Sequence, residues 1–169
     1  MTTTLSIPEN ALTVKDIEPF LALTTRLRTS LPALAETGGA ANRQLCAEAI
    51  RLGINAAVPT QWLYSGFSGH PDDDFDLHIA LPIRSRVLGL PGSNFAVHYV
   101  PAFRCAHYTY TGSWRDLGGV YEALFTQFYA ADYVYDGCVR EVYRVVDQQG
   151  MNNCVTDIQI GLAGQLPGI

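Results

Sequence analysis

Apolar residues recur along this chain at two periods, about two residues for strands and about 3.6 for helices. Asp16 to Thr29 reads as a strand carrying Ile17, Phe20, Ala22, Leu23 and Leu27, with Pro19 confining it to an edge or a bulge. Ser30 or Thr37 then offers a cap to a helix whose positions Ala41, Leu45, Ala49 and Ile50 keep helical spacing until Gly53 ends it. Ala56 to Tyr64 reads as a strand with Trp62 and Tyr64 on one face, Ser65 to Asp74 as a loop, and Phe75 to Leu81 as a strand. The stretch from Pro82 to Asn94 has the prolines and glycines of a linker.

The plan then repeats. Phe95 to Tyr110 is one strand or a hairpin broken near Pro101, and Ser113 with Asp116 predicts a capping box. Leu117, Val120, Tyr121, Leu124, Phe125 and Phe128 occupy one helical face, the clearest periodicity in the chain. Gly118-Gly119 lies inside that helix, where each glycine costs up to about 1 kcal/mol against alanine; close packing against another element is the expected reason. A strand from Gly137 to Asp147, a turn around Gln148 to Asn153 and a last strand from Val155 to Leu162 follow. In the Gly137–Asp147 strand Glu141, Tyr143 and Val145 share one face, while Arg140, Val142, Arg144 and Val146 share the other. A carboxylate beside an aromatic, with no metal-spaced partner, suits holding a cationic or hydrogen-bonding apolar ligand; the alternative is an exposed acid paired with an arginine.

Asp76-Leu77-His78-Ile79-Ala80-Leu81 matches Asp157-Ile158-Gln159-Ile160-Gly161-Leu162. Carried upstream with a small difference in loop length, this register sets Tyr64 on Tyr143 and Trp62 on Glu141. The expectation is an arm, residues 1–15, and a single domain, 16–169, built from two repeats at about 16–83 and 95–163. A pseudo-two-fold axis between them would open a cleft and bring Trp62 and Tyr64 toward Glu141 and Tyr143.

Composition narrows the function classes. Apolar residues make up 48% of the 169 and charged residues 16%, the profile of a chain with a substantial core. A net charge of −5 with Lys15 as the one lysine argues against direct nucleic-acid binding, which needs clustered cations. No apolar run reaches the roughly 20 residues of a membrane span, and the first ten residues do not read as a signal peptide, so the cytoplasm is the expected location. Cys46, Cys105, Cys138 and Cys154 show no paired spacing and are expected to be free thiols. Neither a metal nor a cofactor is expected: Asp72-Asp73-Asp74 with Asp76 lacks the glycine and distal glutamate of a calcium loop, and His70, His78, His98 and His107 lack ligand spacing. Cys105 and His107 read as a buried thiol near an ordinary histidine.

The second half resembles the GyrI-like effector-binding domains of multidrug-responsive transcription regulators. Tyr110-Thr111-Gly112-Ser113-Trp114 is similar to that family's aromatic and Gly-Pro-Tyr-like turn into the helix, Glu141-Val142-Tyr143 with Asp147 to its acid, aromatic and Asp-Pro pattern, and Thr156-Asp157-Ile158-Gln159-Ile160 to its closing strand. Ser113 and Gln148 stand where the family commonly has proline. The resemblance implies an α+β fold of duplicated split β-α-β modules with pseudo-two-fold symmetry and a central ligand cleft. It implies further that the cleft binds bulky, often cationic aromatic molecules, with Glu141 as counter-charge; Tyr143, Trp62, Tyr64, Tyr110 and Trp114 complete the expected ligand-binding set. No helix-turn-helix pattern precedes residue 16, so a separate chain would have to supply a DNA-binding half. The favoured expectation is a free-standing binding protein. A hydrolase using Glu141 to position a water is one alternative. Inhibition of a larger protein partner such as DNA gyrase is another.

Overall fold

A computed structural model describes residues 6–54, 59–85, 87 and 89–164. The period-two stretches form β1 (Thr13–Ile17), β2 (Phe20–Ser30), β3 (Gln61–Ser65), β4 (Asp74–Pro82), β5 (Phe95–Val100), β6 (Phe103–Thr111), β7 (Tyr135–Val145) and β8 (Val155–Leu162), and the helical stretches form α1 (Leu34–Arg51) and α2 (Leu117–Ala130). The architecture is α+β: one antiparallel sheet in the order β1-β6-β8-β7-β3-β4-β2-β5, with two helices. Among the described residues no helix is long and apolar enough to cross a membrane.

Strand order is the same in the two halves. The unit β2-α1-β3-β4 lies as β3-β4-β2, the unit β6-α2-β7-β8 lies as β7-β8-β6, and β3 joins β7 at the centre. Each helix covers its own unit. Leu45 and Ala49 of α1 pack on Leu23, Leu77 and Ile79, while Val120, Leu124 and Phe128 of α2 pack on Ala106, Ile158 and Ile160. These α2 side chains have no exposed surface, and each contributes about 1.5–3 kcal/mol by burial. The match between Asp76–Leu81 and Asp157–Leu162 therefore has a physical basis: Leu77 and Ile79 do under α1 what Ile158 and Ile160 do under α2.

The first strand of each half pairs with the other half. Thr13–Ile17 runs against His107–Phe103, and after Glu18-Pro19 the same register resumes with Phe20 against Val100. Residues 13–30 and 95–111 are thus two long strands lying antiparallel, bent opposite each other at Pro19 and Pro101. Proline cannot donate to a ladder, so the break falls where both strands leave one unit for the next. The bends carry the two edge strands back toward each other, and the sheet wraps.

Several local expectations need correction. Ala33, with no side-chain cap, precedes α1 in place of Ser30 or Thr37; the turn Leu31-Pro32-Ala33 intervenes, and Thr37 Oγ1 instead donates to the Ala33 carbonyl at 2.8 Å. Ile50 faces solvent, 78% exposed. The strand expected from Ala56 falls in part on 55–58, outside the described residues, and β3 begins at Gln61. Ser113 Oγ accepts from the Arg115 N–H at 3.2 Å and caps a single 3-10 turn, Trp114–Asp116, ahead of α2; Asp116 makes no side-chain cap bond. A Cβ built on Gly118 would touch nothing within 4 Å, so close packing does not explain that glycine.

Candidate functional site

β3 and β7 meet with Trp62 opposite Glu141, Leu63 opposite Arg140 and Tyr64 opposite Val139. Alternation then places Trp62, Tyr64, Glu141 and Tyr143 on the face that also carries the helices. The residue equivalent to Tyr64 is Glu141, because Tyr64 pairs with Leu77 and Glu141 with Ile158. This corrects the expected alignment of Tyr64 on Tyr143 and Trp62 on Glu141 by two residues. Its cause is the hairpin β7–β8, which runs beyond the point where β3–β4 turns and carries a bulge between Tyr143 and Val145. Trp62 and Glu141 are neighbours across the ladder, not repeats of one position.

Glu141 is buried, 4% exposed, and accepts three tyrosine hydroxyls. Tyr121 Oη donates to Oε1 at 2.5 Å, Tyr64 Oη to Oε2 at 3.1 Å, and Tyr143 Oη also to Oε2. Burial pushes the Glu141 carboxyl above the ordinary glutamate range, and the hydroxyls of Tyr121, Tyr143 and Tyr64 offset part of that rise. Burial, then the Glu141 charge, holds those three phenols well above the usual tyrosine range. They are donors at any physiological pH. The group is a carboxylate inside a fixed shell of hydrogen bonds, with aromatic rings facing outward from it.

Around this group lies a cavity of about 1220 Å³, walled by Leu31, Leu34 and Asn42 from α1's side and by Leu117, Tyr121 and Phe125 of α2. Trp62 and Trp114 meet the Tyr143 ring edge-on, at centroid distances of 5.5 and 5.3 Å. Trp62 is fixed from behind. Its indole N–H points to Asn42 Oδ1 at 3.4 Å, and a Cβ on Gly38 would come within 2.8 Å of its ring, so only glycine lets α1 approach so closely. The Trp114 indole N–H donates to Thr156 Oγ1 at 3.1 Å. Gly118 lines the same cavity, and the space beside its missing side chain belongs to the cleft.

Of the six residues expected from sequence, Glu141, Tyr143, Trp62, Tyr64 and Trp114 line this cavity and Tyr110 does not. Tyr110 is 6% exposed in the core under α2; its hydroxyl donates to the Ser113 carbonyl at 3.1 Å and its ring lies against Gly112. It braces the turn into the 3-10 segment. Sequence reasoning missed Tyr121 as a Glu141 partner because it sat in a stripe assigned to the core. The available signal was its hydroxyl, alone on that stripe, since a buried tyrosine O–H needs an acceptor. Phe125 was missed for the same reason as Tyr121, its place in the stripe assigned to the core, and Phe67 and Tyr135 for lack of any local pattern.

No protein-family model matches this sequence, and no curated protein matches it. Solved structures do. The C-terminal domain of EcmrR superposes with a TM-score of 0.67 at 16% identity, covering 90% of this chain and 96% of that one. The fold is that of the EcmrR C-terminal domain, an α+β fold of the kind the resemblance to the GyrI-like domains implied. Against EcmrR in its complex with DNA, the chain spans 56% of that chain's length, at a TM-score of 0.67 and 15% identity over 89% of this chain. SAV2435 bound to tetraphenylphosphonium gives 0.61 at 12% identity, over 90% of this chain and 94% of that one. A hydrolase encoded by lin2189 from Listeria innocua gives 0.65 at 9% identity, over 92% and 93%.

Proposed function

We propose that this chain is a receptor for hydrophobic small molecules, with a preference for aromatic cations. The observation that carries the reading is the buried Glu141 carboxylate, held by three tyrosine hydroxyls at the base of an aromatic cavity of about 1220 Å³. Such a cavity admits a drug-sized ligand, its walls supply apolar contact, and a cation over the tyrosine and tryptophan faces gains from both the rings and the carboxylate behind them. The shell stops Glu141 from taking a point contact with the ligand. Recognition then depends on charge and bulk more than on a hydrogen-bond pattern, which fits a broad ligand range.

SAV2435, which shares the fold, was solved with tetraphenylphosphonium, a lipophilic cation of suitable size. EcmrR, solved in complex with DNA, supports a regulatory role, and the chain spans 56% of that protein's length. The two similar units, at about residues 16–83 and 95–163, are in this reading copies of one ancestral module.

The fold shared with the Listeria innocua hydrolase favours a second reading, in which the same cleft turns over an electrophilic ligand. Three donors on Glu141 weaken it as a general base, which counts against this reading. Calorimetric titration with tetraphenylphosphonium, alongside triphenylphosphine oxide as a neutral aromatic of similar bulk, tests the proposal. Saturable binding with the cation tighter is the expected result, and recovery of both compounds unchanged by mass spectrometry separates binding from turnover. If neither compound saturates, the receptor reading is wrong.

A further inference from the structure

The sheet face opposite the aromatic cleft carries Leu63, Ser65, Cys138, Arg140 and Gln159, by the alternation that puts Glu141 on the other side. Here lies a second cavity, of about 350 Å³, lined among others by Thr24, Ser65, His78, His98 and Arg140. Exposed Pro101, Ala102 and Asp136 mark its mouth. Arg140 is 5% exposed, and its guanidinium stacks on Phe103 with Cζ 4.1 Å from the ring centroid. Nη2 donates to the Pro101 carbonyl at 3.1 Å, while Nη1 has no acceptor among the described residues.

A guanidinium does not shed its charge as a buried lysine does. Burial pulls Arg140 down to about 10, so it remains a cation at neutral pH. Buried charges are otherwise paired, because an isolated one loses its hydration without return. Asp136 at the exposed rim favours the Arg140 charge from a distance, but its Oδ1 accepts the Cys138 backbone N–H at 2.8 Å, and no carboxylate among the described residues forms an ion pair with Arg140. Asp76, the acid beside His78, is taken by Arg26 and Arg28. The remaining groups are donors or can become donors: His78, His98 with Thr24 at 3.3 Å, and Ser65.

We propose that this cavity is a second binding site, one that takes a small oxyanion such as phosphate or a carboxylate between Arg140 and the two histidines. The planar fork of Arg140 matches two oxygens of such a group, and its unused Nη1–H supplies one of the bonds. The site is separate from the cation cleft and does not depend on what that cleft binds.

Inorganic phosphate is the probe, titrated at constant ionic strength in chloride, followed by calorimetry and by the Arg140 Nε–H resonance of labelled protein assigned through its own backbone. The expected result is saturation with a dissociation constant of about 1 mM or tighter, together with a saturating shift of that resonance. Arg140→Met should weaken binding about 10-fold or more, the range for a lost hydrogen bond to a charged group. The control Arg84→Met, which removes the same charge from the exposed surface, should bind like wild type. Absence of saturation, or equal binding by folded Arg140→Met, overturns the proposal. If Arg140→Met does not fold, the wild-type resonance decides: a saturating shift supports the site, and an unmoved resonance rejects it.

Discussion

Glu141→Gln isolates the counter-charge from the shape of the cleft. Glutamine fills the same volume, and its amide oxygen accepts two of the tyrosine hydroxyls while its N–H2 donates to the third, so the network around Tyr64, Tyr121 and Tyr143 persists with one bond reversed. A cation that docks on the ring faces about 6 Å from the carboxylate would feel its charge through the rings. At an effective dielectric near 20 the lost attraction is about 2.8 kcal/mol, or about 100-fold in dissociation constant. Burial, not an ion pair, sets the state of Glu141, so the variant should melt no lower than wild type at pH 7. Calorimetry with tetraphenylphosphonium and triphenylphosphine oxide reads the effect as a difference: the cation weakens about 100-fold and the neutral compound barely changes. Equal cation affinity in the two proteins, with the variant folded, would refute Glu141 as counter-charge.

Because the Glu141 carboxyl is raised in the folded state, its contribution to ligand-free stability is fully present below the ordinary glutamate range and is lost as pH rises through its folded value, while affinity for a cation climbs over that same interval; melting and titration series between pH 4 and pH 8 should show the opposed trends. Tyr121→Phe keeps the ring but leaves Oε1 without its donor, and should cost about 1.5–3 kcal/mol in urea unfolding at neutral pH. Gly118→Ala meets open space and should stabilise by up to about 1 kcal/mol in thermal melts, whereas Gly38→Ala forces the Trp62 ring aside and should weaken cationic and neutral ligands alike. In timed alkylation of native protein, exposed Cys46 should react first and Cys105, buried with its thiol pushed up to about 11, last.

What the sequence disclosed followed from periodicity. Six residues at helical spacing, Leu117 to Phe128, marked α2 because one face of a helix must be buried, and the Asp76–Leu81 repeat marked two equivalent strands because both carry a helix. Pro19, read as confining one strand to an edge or a bulge, instead separates β1 from β2, again through its missing donor. What stayed hidden was set by register and by distance along the chain. The longer β7–β8 hairpin, with its bulge after Tyr143, put the repeat two positions off, enough to pair Tyr64 with the wrong residue of the other half. Tyr110 and Tyr121 have the same chemistry, and only the fold sends one hydroxyl to a backbone carbonyl and the other to Glu141. Arg140 looked like a surface partner for the acid beside it until the wrapped sheet enclosed it.

The exchange of first strands also dictates when this protein can finish folding. β1 is made before the rest of the sheet, yet the strand it pairs with, β6, begins ninety residues after it, Thr13 lying against His107. A nascent chain that has delivered everything up to β4 holds a three-stranded unit whose outer edge awaits β5, and an N-terminal strand with nowhere to go. β5 ends eighteen residues after β4, so at about 5–20 residues per second synthesis leaves that edge open for about 1–4 seconds. The bent strands thus postpone completion until both halves have emerged, and the emerging first half needs shielding from like chains during that wait, since an uncovered strand edge is the template on which nascent chains pair wrongly.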